Sequence, residues 1–389
     1  METKPTQTIG ETQGGDAKER RKNEKRSRRA LKEIGNLNPV QGIEIKVPPL
    51  RPLTRGFCAR LEANARQAPA PSEHGCNREK KPQSETPLES TEQTGEDELV
   101  INGREPHPSY SEILCKRSVD IDAADRDNEL AVVDYVDDMF RFYRQAECES
   151  KPTSYMVSQP ELNPRIRAIL VDWIVDAHVR FNLTPEALYL TVNILDRVLS
   201  SMVIRRGELQ LVGVGAMLIA SKYEEIYAPT VQKLVDISNE AFCEWQVLAM
   251  EKMILCSLSW TLTVPTAYMF LVRFVKASIA DKATENMAHY LAELGLTSYE
   301  MMVGFPHSMF AAAAVYVARC TMGVVPAWTE TLRRHSAYEE GELRECAVAL
   351  THVHATARRD GLLRSVVMKY SLVEGGVVNY PPIRLHLCG

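Results

Sequence analysis

The stretch from Ile166 to Glu225 constrains this chain more than any other, because three apolar helical patterns follow one another there with only short breaks. It reads IRAILVDWIVDAH, then TPEALYLTVNILDRVL, then GELQLVGVGAMLIASKYEE. On a helical wheel at about 100° per residue, Ile166, Leu170, Trp173 and Ala177 fall on one side of the first pattern. Ala168, Val171, Val175 and His178 fall on the other. Arg165, Asp172 and Asp176 make a narrow polar wedge between these faces, with Arg180 at its edge and Arg167 alone across from it. A helix apolar on two faces either lies at the centre of a domain or carries a face that a partner covers. The second pattern opens with Thr184-Pro185-Glu186, a cap residue followed by proline at the first helical position. Thr184-Pro185 therefore reads as a helix start, although it also matches a proline-directed phosphorylation site. The third pattern carries Gly213, Gly215, Ala216 and Ala220, whose small side chains let neighbouring helices approach closely, and it is placed in the middle of a bundle.

Two further short helices complete this set, one from Thr230 to about Ser238 and one from Glu244 to Leu258, giving five between Asn163 and Trp260. The order then repeats with Pro265 to Ala277, Lys282 to Leu294, Pro306 to Cys320, Thr329 to His335 and Glu342 to Arg358. At an offset near 98 residues, Gly213, Gly215, Ala216 and Ala220 align with Ala311, Ala313, Ala314 and Ala318. The break at Ala228-Pro229-Thr230 aligns with Val325-Pro326-Ala327. No segment has competing strand-like alternation. The expected fold is all-α, two five-helix units in tandem. A helix from Ala131 to Arg144 precedes them, with Val132, Tyr135, Val136, Met139, Phe140 and Tyr143 at helical spacing and Lys151-Pro152 as its stop. The expected organisation is a tail over 1–125, the N-terminal helix and linker over 126–163, units over 164–262 and 263–373, and an irregular end over 374–389.

Composition narrows the function classes. A length of 389 residues fits two or three units at about 150 residues each. The net charge of −5 dictates neither a nucleic-acid nor a membrane partner. No apolar run approaches the ~20 residues that span a bilayer, and the N-terminus is polar rather than leader-like. The nine cysteines include no CxxC pair and are odd in number, which fits reduced thiols in cytosol or nucleus better than disulfides or a zinc site. No phosphate-cradling glycine loop, H-E-x-x-H or nucleophile elbow is present, so neither catalysis nor a cofactor is expected. His178 lies in an apolar helix and reads as a packed histidine, and His352 and His354 point different ways on a helix.

The first 125 residues are rich in charged and polar residues, Pro and Gly, and are expected to be disordered. The basic run from Lys18 to Lys32 reads either as a solvated charge run or as a nuclear-import signal. Within it begins Arg28-x-x-Leu31-x-x-Ile34-x-Asn36. In an extended segment this spacing offers one guanidinium and one apolar side chain to separate pockets. Thr86-Pro87 is either a phosphosite or an incidental dipeptide. The segment RPLTRGFCARL, Arg51 to Leu61, has no mechanism attached to it.

RAILVDW, LDRVLS, LQLVG, ASKYEEIYAP and AELGLTSYEMM, in this order and behind that tail, resemble the mitotic B-type cyclins, particularly those of plants. The resemblance runs from about Asp134 to Tyr370. It implies two tandem cyclin boxes and a regulatory subunit that activates a cyclin-dependent Ser/Thr kinase at the G2/M transition, in nucleus and cytoplasm. By this resemblance Lys222 and Glu251 would hold the kinase's regulatory helix, Tyr223, Glu224 and Glu225 would add contacts, and Met139 an apolar one. Ile166, Leu170, Trp173 and Gln210, with Asp176 beside them, would form a patch that docks Arg-x-Leu motifs of substrates and inhibitors. The family usually has methionine at Ile166 and glutamate at Asp176, so motif preference is expected to differ. Arg167 and Asp196 would form a buried structural ion pair. Arg28, Leu31, Ile34 and Asn36 resemble the family's destruction box, read by the anaphase-promoting ubiquitin ligase; the Lys-Glu-Asn degron is absent, since Lys22-Asn23-Glu24 has another order. At the repeat offset Lys222 aligns with Cys320, and Glu251 lands near Val348 to Leu350, so only the first unit is expected to grip a partner. Two rivals are a tandem-repeat transcription factor and a kinase partner acting in transcription. The first should carry a basic stripe on its folded part, whereas here Lys and Arg cluster in the tail; the second should lack Arg28-x-x-Leu31.

Overall fold

Val132 adopts a left-handed conformation (φ 48°) between two 3₁₀ turns, Glu129–Ala131 and Val133–Tyr135. That interruption keeps α-helix from forming at Ala131. The first helix, α1, spans Val136–Ser150, starting and ending later than its apolar spacing predicts. The computed structural model describes residues 119–383 except 358, 360, 362, 374 and 375. These described residues contain no strand and belong to one compact unit.

Five helices follow: α2 (Pro164–Phe181), α3 (Pro185–Ser201), α4 (Leu209–Glu224), α5 (Val231–Ile237) and α6 (Glu244–Ser257). Local chemistry sets their ends. The Asn163 side chain accepts from the Ile166 N–H at 2.9 Å, Pro164 occupies the first turn, and Asn182 closes α2 in the left-handed region. Thr230 caps α5 in the same way, through the Lys233 N–H.

The second repeat comprises α7 (Ala267–Ser278), α8 (Lys282–Thr297), α9 (Tyr299–Gly304), α10 (His307–Thr321), α11 (Glu330–Ser336) and α12 (Glu340–Ala357). It is joined by a final helix, α13 (Ser365–Ser371). The chain is therefore all-α with two tandem helical domains. The second repeat carries one short helix, α9, beyond the expected five, and α13 follows the last helix that the spacing predicts.

Each repeat wraps around one buried helix, α4 in the first and α10 in the second. Small residues make this possible. A Cβ on Gly215 of α4 would come within 2.9 Å of Ile254 and 3.0 Å of Met250 on α6. A Cβ on Gly295 of α8 would press into the Phe310 ring of α10. Helices pack at this spacing only where side-chain bulk is missing.

A buried ionic knot joins the repeats. Arg167 on α2 forms a two-point pair with Asp196 on α3, Nε to Oδ1 at 2.7 Å and Nη2 to Oδ2 at 2.6 Å. Its remaining amino group donates to the carbonyls of Leu296 and Thr297 at the end of α8, at 3.0 and 3.2 Å. Tyr155 adds a hydroxyl donor to Asp196 Oδ1 at 2.7 Å. Arg167 and Asp196 are each 1% exposed, so their mutual pairing and these extra bonds offset a large desolvation cost.

Candidate partner-binding site

The apolar body of α4 reaches the surface at its last turn, where Ser221 is buried and Lys222, Tyr223 and Glu224 are exposed. Packing of α6 against α4 places Glu251 beside Lys222, and Lys222 Nζ lies 2.6 Å from Glu251 Oε1. The lysine is half exposed and the glutamate largely covered, so the pair is an anchored acid with a cation reaching outward. The Tyr223 hydroxyl meets Thr263 Oγ1 at 2.5 Å. Partial burial raises the Glu224 carboxyl above its usual range, with Glu186 and Glu225 reinforcing the shift.

Glu225 has a second task. Its Oε1 accepts from the backbone N–H of Thr184 at 2.6 Å and from the Thr184 hydroxyl at 2.9 Å. It thereby satisfies the start of α3, whose own cap side chain makes no capping bond. The structure thus brings together the end of α4, the start of α3 and the middle of α6. It also supplies members that spacing did not single out. Ile226 and Tyr227, just beyond α4, are 90% exposed, and Leu248, one turn before Glu251, is also exposed. These large apolar side chains stand open to water beside the charged pair.

Met139 lies apart from this group in sequence, on α1. Tyr135, at the α1 cap, and Met139 and Phe142 are exposed at i, i+4 and i+7 spacing, a single apolar stripe. The other side of α1 is fastened to the second repeat. Phe140 packs edge-on against Phe270, Arg144 donates to the Ser336 carbonyl, and Glu147 accepts from the N–H and hydroxyl of Ser308 at 2.8 and 2.6 Å. Tyr135, Met139, Phe140 and Tyr143 all share the apolar spacing read from the sequence and Phe142 does not, so the outward stripe is told from the inward face only once the second repeat is in place.

Ile166, Leu170 and Trp173 lie together on α2 and are nearly covered, at 7%, 0% and 4% exposure. Leu170 is packed against Gly213 of α4, where an added Cβ would lie 3.0 Å from it. This face is a packed floor with a polar margin. Asp176, partly exposed, pairs with Arg180 at 2.9 Å. The Gln210 Nε2 is buried without a hydrogen-bond partner, a donor whose cost is relieved when an acceptor arrives.

Asp172, in the polar wedge of α2, accepts from the backbone N–H and the hydroxyl of Ser365, both at 2.8 Å. Burial pushes its carboxyl up to about 7, opposed by the Ser365 bonds and aided by Asp176. Nothing local in the sequence signals a contact between residues this far apart. His178 is buried, its Nε2 is 3.1 Å from the Thr184 carbonyl, and burial lowers it to about 4, so it is neutral at pH 7. Among the described residues no group of three or more His, Cys, Asp or Glu is placed to hold a metal, and no helix is long and apolar enough to cross a membrane. Arg28, Leu31, Ile34 and Asn36, the Lys18 to Lys32 run and Thr86 lie outside the described residues.

Comparison with known proteins adds two family matches, the cyclin N-terminal domain over residues 138–263 and the cyclin C-terminal domain over residues 265–378. The chain is 45% identical to the G2/mitotic-specific cyclin-2 of Antirrhinum majus over 413 aligned residues, covering 92% of each chain. It is 42% identical to Cyclin-B1-2 of Arabidopsis thaliana, covering 92% of this chain and 90% of that one. A solved viral cyclin from herpesvirus saimiri aligns with a TM-score of 0.48 at 22% identity, over 60% of this chain and 96% of that one.

Proposed function

The chain belongs to the cyclin family, alongside relatives named as G2/mitotic-specific, and on that footing we propose that it binds and activates a cyclin-dependent Ser/Thr kinase at the G2/M transition. The observation that carries this reading is the Lys222–Glu251 pair at the open end of α4, flanked by exposed Tyr223, Ile226 and Tyr227. A cation and a carboxylate held on two different helices can fix a partner helix by charge-assisted bonds, and the exposed rings and aliphatic chains around them supply apolar area. The two charges already face each other, so little side-chain freedom is lost when a partner engages them. The stripe of Tyr135, Met139 and Phe142 on α1 offers a second apolar contact.

The role is binding rather than chemistry. Docking on this surface would favour the kinase conformation in which its regulatory helix sits inward and its activation loop is open, a shift of population driven by differential affinity for the two states. Substrates and inhibitors with Arg-x-Leu motifs would dock at the margin formed by Gln210 and Asp176, over the packed floor of Ile166, Leu170 and Trp173. Support comes from the unpartnered Gln210 amide, a ready donor for a peptide carbonyl, and from Asp176 as an acid for the arginine. Removal by the anaphase-promoting ubiquitin ligase through Arg28, Leu31, Ile34 and Asn36, and residence in nucleus and cytoplasm, complete the proposal on the strength of the tail sequence.

Reconstitution with a cyclin-dependent kinase tests the central claim. Lys222→Ala with Glu251→Ala should leave the full chain folded and abolish phosphorylation of a histone-type substrate. Undiminished activity of that double variant would refute the grip.

A further inference from the structure

The docking helix α2 is held at two opposite points by parts of the chain that come much later. On one side Arg167 reaches the Leu296 and Thr297 carbonyls at the end of α8. On the other, Asp172 receives the N–H and hydroxyl of Ser365, the first residue of α13. The far end of α13 is fixed to the second repeat, where Lys369 Nζ and the Tyr370 hydroxyl both meet Glu293 Oε1 of α8, at 2.6 and 2.8 Å. The Tyr370 ring packs against Tyr290, also on α8, at 5.5 Å. Val366 and Tyr370 are buried, so α13 is a packed element and not a loose end. It therefore spans from the second repeat to the polar wedge of α2.

A helix pinned on opposite sides cannot roll about its axis. Asp172 is next to Trp173 in sequence and one turn ahead of Asp176, so the Ser365 contact sets the angle at which both are presented. The two pins are unequal. Arg167 is locked by a buried two-point ion pair, whereas Asp172 is held by one backbone and one hydroxyl donor. We propose that Ser365 and Asp172 are positioning residues for substrate docking, through which α13 and the second repeat set the orientation of the docking face on the first. The proposal rests on the reading of that face as an Arg-x-Leu site and deepens it. The residues act through α2, touching neither the kinase nor its reacting groups.

The test uses the full chain in complex with its kinase and two substrates that share one phosphoacceptor sequence, only one of them carrying an Arg-x-Leu motif. Ser365→Ala should raise the KM of the motif-bearing substrate about fivefold, the effect of roughly one lost hydrogen bond. Its kcat, and the KM of the motif-less substrate, should not change, and Ser365→Thr should restore the native KM. Equal losses on both substrates would mean a purely structural contact and would overturn the proposal. So would an unchanged KM in Ser365→Ala when Asp176→Asn raises it, leaving the docking reading intact. If Asp176→Asn and Gln210→Ala also change nothing, the docking reading falls and this inference with it.

Discussion

In the first repeat the buried helix α4 runs out at Lys222, Tyr223 and Glu224, all facing solvent, whereas α10 in the second runs out at Arg319 and Cys320, both turned to the chain's own use. Arg319 donates to the carbonyls of Ser278, Pro326 and Ala327 at 2.7, 2.9 and 2.9 Å. Cys320 is half-buried, and burial pushes its thiol up. Where Glu251 stands in the first repeat, the second has partly covered Val348 and Ala349. The surface of the second repeat is instead occupied from within. Asp122 pairs with Arg273 at 2.6 Å and Val119 donates to Thr331. Glu147 of α1 holds Ser308, and α13 holds Glu293. Two repeats with the same kind of core thus differ at the same place, the second covered there by its own side chains and the first leaving Lys222, Tyr223 and Glu224 open to solvent.

The knot between the repeats offers the hardest way to break this contrast. Arg167→Ala leaves Asp196 buried with only Tyr155 as a donor and strips two carbonyls at the end of α8. A loss of ~3–5 kcal/mol is expected in urea unfolding of the full chain. A loss below ~1 kcal/mol would mean that apolar packing alone holds the repeats together.

Next in size is the strap at the chain's entry to the second repeat. Hydrogen bonds from Arg273, with Lys276 adding, hold the Asp122 carboxyl down to about 2 from an ordinary 3.8. A depressed carboxylate contributes stability that is present above its unfolded value and is lost as pH falls through its folded one. Asp122→Asn should therefore cost on the order of 2 kcal/mol at pH 7, with the difference closing as pH approaches 2. Parallel pH-dependent melts of the two proteins would show a constant gap if the pair contributed nothing ionic.

Asp172 has the opposite sign. Its folded value of about 7 lies above 3.8, so the stability linked to its proton is present below 3.8 and is lost as pH rises through 7. Asp172→Asn stays neutral throughout. It should be the more stable protein at pH 8, by on the order of 1 kcal/mol once the poorer acceptor for Ser365 is counted, and should show no advantage near pH 4. A native protein whose melting point is flat between pH 5 and 8 would contradict this.

These contacts show where sequence reading reaches and where it stops. Eleven helices were legible, nine of them with twelve or more residues because burial imposes a 3.6-residue period on their side chains. The other two, the seven-residue α5 and α11, were legible because Thr230 and Thr329 follow prolines that break the pattern ahead of them. Helices α9 and α13 were not, since each has only six or seven residues and no proline break precedes it to mark a new start; α9 follows α8 after Ser298 alone. The delayed start of α1 depends on Val132 taking a left-handed conformation that a β-branched residue rarely adopts. At the site, the pairing of Lys222 with Glu251 and of Arg167 with Asp196 came from likeness to a family, not from spacing. Thr184 was correctly read as a helix start, yet the group that satisfies it, Glu225, arrives from the end of another helix. Asp122 with Arg273, Glu147 with Ser308 and Asp172 with Ser365 join residues more than a hundred positions apart, and no local pattern records them.

The smallest effect on stability should come from the pair with the largest effect on function. Lys222 is half exposed, so its bond to Glu251 is screened, and Lys222→Ala with Glu251→Ala should shift unfolding by less than ~1 kcal/mol. That alone does not separate an outward grip from an inward brace. Exchanging the charges does. Lys222→Glu with Glu251→Lys keeps an ion pair between α4 and α6 at the same place and reverses what a partner meets. If the pair braces the first repeat, the exchanged protein should activate the kinase as well as the native one. If it grips a partner, the exchanged protein should match the native one in unfolding and fail in activation as completely as the double alanine variant. The second outcome is expected, because α4 and α6 are already held by Gly215 against Met250 and Ile254 beneath the pair and have no need of it.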